Sequence, residues 1–233
     1  MTDIPYSTAL IVGAGQGISA AVARKFAAAG LKVALVARNA DKLAGLAGEI
    51  GGLALPADAT DASAIADVFD KVSRQIGTPD VVVYNASARA HGPIAELDPE
   101  TVRNAIAVSA FGGFLVTREA ARRMLQLGRG AILLTGASAS VKGFPQSAAF
   151  AMGKFALRGL AQSSARELGP KGIHVAHIVI DGGVRSAARP DPADRPDSTL
   201  SPEGIAQTYL DLIRQPRDAW SLEVELRPWV EHF

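Results

Sequence analysis

Short apolar runs recur along this chain, and each is followed by a stretch with helical periodicity. The runs are TALIVG (Thr8–Gly13), KVALVA (Lys32–Ala37), GLALPA (Gly52–Ala57), DVVVYN (Asp80–Asn85), AILLTG (Ala131–Gly136) and HVAHIVI (His174–Ile180). Most are unbroken aliphatic or β-branched sequence, as strands buried on both faces require. The segments between them, such as GISAAVARKFAAAG and DASAIADVFDKVSRQIG, are long enough to cross a sheet as helices. This alternation predicts an α/β fold, a doubly wound parallel sheet with right-handed crossovers and helices on both faces. No linker or short-period repeat interrupts the pattern, so residues 1–233 are expected to form a single domain.

Two predicted helices are long, from about Pro99 to Leu127 and from about Ser147 to Leu168. PEGIAQTYLDLI reads as a last helix, with Pro202 near its start, and WSLEVELRPW as a closing strand. RSAARPDPADRPDSTLSP is too rich in Pro, Asp and Arg for either element. Its residues 185–200 are expected to be a mobile substrate loop after the sixth strand.

Composition removes several function classes. The net charge of +1 gives no field for nucleic acid or acidic membranes. The absence of cysteine excludes disulfides, thiol catalysis and thiolate metal sites. The four histidines are scattered, and His174 and His177, three apart in a strand, should face opposite sides, so no metal site is expected. MTDIPYSTALIVG lacks a basic start and a long apolar run, and no stretch is apolar enough to span a bilayer. The expectation is a cytoplasmic protein that meets small molecules.

The first apolar run passes into its helix through a glycine turn. Gly13, Gly15 and Gly17 leave bare backbone, and N–H groups at the start of a helix suit a pyrophosphate. The spacing is G-x-x-x-G from Gly13 to Gly17; Ile18 occupies the sixth place of G-x-G-x-x-G. A glycine turn after the first strand of an alternating fold points to a Rossmann-type nucleotide site. At the end of the second run stand Ala37, Arg38 and Asn39, with no acid to chelate ribose hydroxyls. Arg38 suits a 2′-phosphate, which favours NADP(H) over NAD(H). Asp58, in PADATD, suits an adenine amine, although Asp61 is the better helix cap. Asn85 and the small Ala86 end the fourth run, where a ribose can approach closely.

In order along the chain, ALIVGAGQGIS, DVVVYNASA, FAMGK and GIHVAHIVIDGG resemble the short-chain dehydrogenase/reductase family over nearly its full length. The resemblance aligns the family's T-G-x-x-x-G-x-G turn with Val12, Gly13, Gly17 and Ser19, and its N-A-G with Asn85, Ala86 and Ser87. It implies cofactor contacts at Gly13, Gly15, Gln16, Gly17, Ile18, Arg38, Asp58, Ala59, Asn85, Ala86, Lys154, Asp181, Gly182, Val184 and Ser186. The family's basic residue for NADP falls on Gln16. Its catalytic tyrosine and lysine fall on Phe150 and Lys154, its serine on Ala137, with Ser138 one place later, and its helix asparagine on Ser109. Only the lysine is retained.

The resemblance implies an NAD(P)-dependent oxidoreductase of an alcohol or carbonyl in which proton transfer is atypical or weak. The alternative is a nucleotide-binding relative that has lost its chemistry and acts as a binding or assembly subunit. Ser109, Ser138, Ser140, His91 and Asp181 are candidate substitutes for the missing hydroxyls. The pocket wall is expected from residues 89–94, 139–146 and 183–200, with Arg185 and Arg189 available for an anion. The two long helices, which resemble the family's dimer-forming pair, and the aromatic-rich C-terminus predict a homodimer or homotetramer.

Overall fold

A computed structural model describes residues 4–231. The terminal His232 and Phe233 of the expected aromatic cover lie outside the described residues. Seven strands form one parallel sheet in the order β3-β2-β1-β4-β5-β6-β7. They are β1 (Thr8–Val12), β2 (Lys32–Ala37), β3 (Leu53–Pro56), β4 (Val81–Tyr84), β5 (Gly130–Thr135), β6 (Ile173–Ile180) and β7 (Glu223–Leu226). The helices are α1 (Ile18–Ala28), α2 (Ala44–Ile50), α3 (Ala62–Gln75), α4 (Pro99–Ile106), α5 (Gly112–Leu127), α6 (Ala148–Leu168) and α7 (Pro202–Arg214).

The strand side chains alternate between two cores, which is why both faces of each run had to be apolar. Ala9 and Ile11 face α1, α2 and α7, packing with Phe26, Leu46 and Tyr209. Leu10 and Val12 face α3, α5 and α6, packing with Phe69, Val116 and Leu157. The closing strand is shorter than WSLEVELRPW suggested. It pairs only with β6, at the sheet edge, and Pro228 follows close behind.

The expected helix from Pro99 to Leu127 is continuous but not uniform. A wide π-type turn, Ala107–Phe111, separates α4 from α5. The buried Tyr84 hydroxyl donates to the Val108 carbonyl inside this turn. Gly153 of α6 packs against it so closely that a Cβ there would run into Ser109. Phe111, Phe114, Met152 and Phe155 are left exposed along α5 and α6 and the turn before α5. Among the described residues no helix is long and apolar enough to cross a membrane.

Candidate active site

Strand order reverses between β1 and β4, and a crevice opens there beyond the strand ends. Gly13 begins it with φ +85, and a Cβ at this position would collide with the Ala86 backbone. The turn is tied to β4 through side chains. Ser19 Oγ donates to the Gly13 carbonyl at 3.0 Å and accepts from Asn85 Nδ2 at 2.8 Å. Ser19 therefore fixes the glycine turn to the end of β4.

Three cavities meet at Asn85, which lines all of them. The first, about 310 Å³, is walled by Arg38, Asp58, Ala59, Ala86 and the Gly13 turn. Arg38 is exposed at the end of β2. Asp58 accepts from the Thr60 amide at 2.8 Å and hydroxyl at 2.7 Å, and these bonds hold its carboxyl below the usual range. Asp61 takes the cap of α3, accepting from the Ser63 and Ala64 amides.

The second cavity, about 290 Å³, lies over Gly13, Gly15, Gly17 and Ile18, with Val184 and Ser186 opposite. Helix α1 starts here with no side-chain cap, and nothing stands within 4 Å of where Cβ atoms on Gly15 and Gly17 would be. Uncapped N–H groups under open space, with no carboxylate on the wall, fit a pyrophosphate. Gln16 lines none of the three cavities; its amide points to the Lys42 carbonyl at 3.4 Å.

The third cavity, about 230 Å³, holds Phe150, Lys154, Ala137, Arg89 and Gly182. Lys154 is 3% exposed, and its Nζ donates to the Thr135 carbonyl at 2.7 Å. Burial, with the Arg89 charge adding to it, pulls the lysine pKa down from 10.5 to about 8. The Phe150 ring centroid is 5.8 Å from Nζ, so the ring and the ammonium do share one face of α6. The Arg89 guanidinium lies over the same ring at 4.3 Å.

The other predicted residues are placed differently. Ser109 is buried in the π-type turn, where its hydroxyl accepts from the Ala88 amide at 3.3 Å and donates to the Ala88 carbonyl at 3.4 Å. It anchors the loop after β4 instead of reaching the cavity. Ser138 opens a short turn beside Ala137 without lining the wall, and Ser140 Oγ accepts from the Ala137 amide at 3.1 Å. Asp181 is buried and turned toward Lys142 and Arg227, each at 3.4 Å. His91 borders a separate surface hollow with Glu96. In the loop of residues 185–200, Arg185 pairs with Asp191 and Asp197, and Asp191 also accepts from the Thr199 amide.

Sequence reasoning missed three features of this end. Ser87 brings a hydroxyl to the wall. Thr135 supplies the carbonyl that holds Lys154, while its own hydroxyl is bonded to Tyr209 at 2.6 Å. Arg89 stood only as the first residue of a wall segment, and nothing local in its sequence reveals that it folds over Phe150. His174 and His177 are engaged elsewhere: His174 stacks on Trp220, and His177 Nδ1 meets Glu223 at 2.9 Å. Among the described residues no metal-binding cluster forms.

A family model described as short chain dehydrogenase matches residues 7–192. A D-threitol dehydrogenase of Mycolicibacterium smegmatis is 31% identical over 175 residues, 73% of this chain and 67% of that enzyme. Among solved structures, a short-chain dehydrogenase from Rhodopseudomonas palustris is 38% identical with a TM-score of 0.83, covering 96% of this chain and 99% of its own. An alcohol dehydrogenase from Thermococcus sibiricus, complexed with 5-hydroxy-NADP, is 26% identical with a TM-score of 0.85 over 97% and 98% of the two chains.

Proposed function

The chain belongs to the short-chain dehydrogenase family, and on that premise we propose an NADP(H)-preferring oxidoreductase of an alcohol or carbonyl whose proton transfer does not use a tyrosine. The observation that carries the reading is Lys154. It is buried, aimed into the reaction end of a crevice that runs from Arg38 past the α1 N-terminus, and near neutrality in pKa. The similarity to a D-threitol dehydrogenase and to an alcohol dehydrogenase holding a NADP derivative supports the substrate class and the cofactor.

The residues that would hold the dinucleotide follow from the crevice. Arg38 takes the 2′-phosphate and Asp58 the adenine amine. The uncapped N–H groups at the start of α1 take the pyrophosphate, with Val184 and Ser186 facing them. Asn85 and Gly182 would border the nicotinamide half, where Lys154 would bind ribose. When bound, the dinucleotide supplies or accepts the hydride. The protein's own task is then to hold the carbonyl oxygen and give it one proton.

Phe150 cannot do this. A guanidinium is a poor proton donor, whereas burial brings the Lys154 ammonium on the same wall down to a pKa of about 8, within reach of giving one up. One Lys154 N–H is committed to Thr135, and two remain for ribose and for the substrate oxygen or a water beside it. A proton handed over through a water is slower than one from a phenol in contact; loss of a positioned acid costs ~10²–10⁴ in rate.

The exposed Phe111, Phe114, Met152 and Phe155 support association of two chains through α5 and α6, as a homodimer or homotetramer. Light scattering that shows only monomer at micromolar concentration contradicts this.

The functional reading is tested by titrating NADPH and NADH into the protein, then following single-turnover NADPH oxidation with a panel of ketones and aldehydes. Binding of NADPH with slow, measurable turnover is expected. Failure to bind either dinucleotide overturns the reading; binding without turnover on any carbonyl replaces the enzyme with a nucleotide-binding subunit.

A further inference from the structure

Arg89, Arg189 and Lys154 all line the reaction-end cavity, and no aspartate or glutamate does. Many other arginines are matched: Arg24 with Glu49, Arg103 with Glu100, Arg123 with Asp70 and Glu119, Arg158 with Glu223. Even Arg185, in the same loop as Arg189, is taken up by Asp191 and Asp197. Among the described residues neither Arg89 nor Arg189 has a carboxylate partner. Three cations around one small space repel one another until an anion enters.

Arg89 is also positioned. Ser109 holds the neighbouring Ala88 by both its backbone groups. The Phe150 ring lies under the guanidinium at 4.3 Å and covers one of its faces. The N–H edges of the fork stay open, and a planar fork suits a planar two-oxygen anion. A face-covered fork on the wall of a 230 Å³ cavity favours one small carboxylate over a bulky phosphate ester.

We infer that this cavity binds the carboxylate of a small oxo or hydroxy acid, with Arg89 as its principal contact and Phe150 as the platform that orients Arg89. The identity of the neighbouring carbonyl rests on the oxidoreductase reading; the anion site does not. A ring without a phenol, Phe150, thus serves to seat a substrate-binding arginine.

The test uses two unreactive probes of nearly equal shape, oxamate and its neutral counterpart oxamide, measured by calorimetry on the protein with and without saturating NADP⁺. Oxamate is expected to bind about tenfold or more tightly than oxamide, as a charge-assisted pair requires. Arg89→Gln, at an exposed position, should remove that difference in a protein that still folds and still binds NADP⁺. Arg89→Lys should restore only part of it, because a point charge lacks the fork. Equal binding of the two probes, no binding of either, or an oxamate preference that survives Arg89→Gln overturns the anion site. A kinetic arm separates the two readings. Turnover of neutral ketones without oxamate preference removes the anion site and keeps the enzyme. Oxamate preference without turnover of any oxo acid keeps the anion site and removes the enzyme.

Discussion

The two ends of the crevice are built from different materials. The nucleotide end is made of backbone and absence: a glycine turn whose N–H groups are uncapped, small residues at Ala37 and Ala86, and open space over Gly15 and Gly17. The reaction end is made of individual functional groups, and there Phe150 and Ala137 carry no hydroxyl. Backbone geometry is shared by many residues, so it survives single substitutions. A proton donor is one atom and does not. What remains at the reaction end is a cluster of cations, in which burial pulls the Lys154 pKa down to about 8.

The largest expected effect comes from removing that lysine. In the roles proposed for it, Lys154→Met would delete a charge-assisted hydrogen bond worth about 1.5–3 kcal/mol to the dinucleotide, and the proton source as well. NADPH affinity should fall by that amount, and single-turnover rate by ~10²-fold or more. The pH dependence sharpens the assignment. The folded lysine has a pKa of about 8 against 10.5 unperturbed, so parent affinity for NADPH should weaken as pH rises through about 8, while the methionine variant stays flat. Stability has the opposite sign. Between about 8 and 10.5 the unfolded chain binds more protons than the folded one, so this group's contribution makes stability rise with pH across that window. Denaturant titrations of parent and variant should differ in slope there. Matching pH profiles for the two proteins would remove Lys154 from the reaction.

The second effect repairs the poorer end. Phe150→Tyr with Ala137→Ser places two hydroxyls beside Lys154. The double variant should reduce simple carbonyls at least about tenfold faster than the parent, ~1.4 kcal/mol of barrier. The two changes should act together rather than multiply, since such groups work as a unit. Ser138→Ala should leave the rate unchanged, because Ser138 does not line the cavity. A double variant that folds and binds NADPH yet stays as slow as the parent shows that missing hydroxyls do not limit the rate.

The same contrast explains what was legible in the sequence. Six strands, the glycine turn, the crossover helices and the pairing of Phe150 with Lys154 on one helix face all follow from local pattern. Ser109 and Asp181 do not, because tertiary partners decide where their side chains go. Ser109 is claimed by the Ala88 backbone once the helix opens into a wide turn, and Asp181 by Lys142 and Arg227. Arg89 escapes for the same reason: its partner is sixty-one positions away in α6. Length and type of an element are written in neighbouring residues, whereas the aim of a charged side chain is written across the fold.

The smallest effect probes whether the nucleotide end carries any charge-specific reading at all. Arg38 stands exposed at the end of β2, with Ala37 before it and Asp58 across the cavity. An arginine fork suits a 2′-phosphate, but exposure and the nearby Asp58 charge screen it. The preference for NADPH over NADH should therefore be modest, about 1 kcal/mol or several-fold, and should shrink as salt rises through ~0.5 M. Arg38→Asp should reverse it, since the new carboxylate repels the phosphate and can accept from the free ribose hydroxyls. Overall dinucleotide binding should persist in the variant, because the glycine turn and the α1 N-terminus are untouched. Fluorescence titrations of both cofactors at two ionic strengths decide the matter. Equal affinities in the parent at low salt would mean that this end binds by backbone geometry alone, and the contrast between the two ends would then be complete.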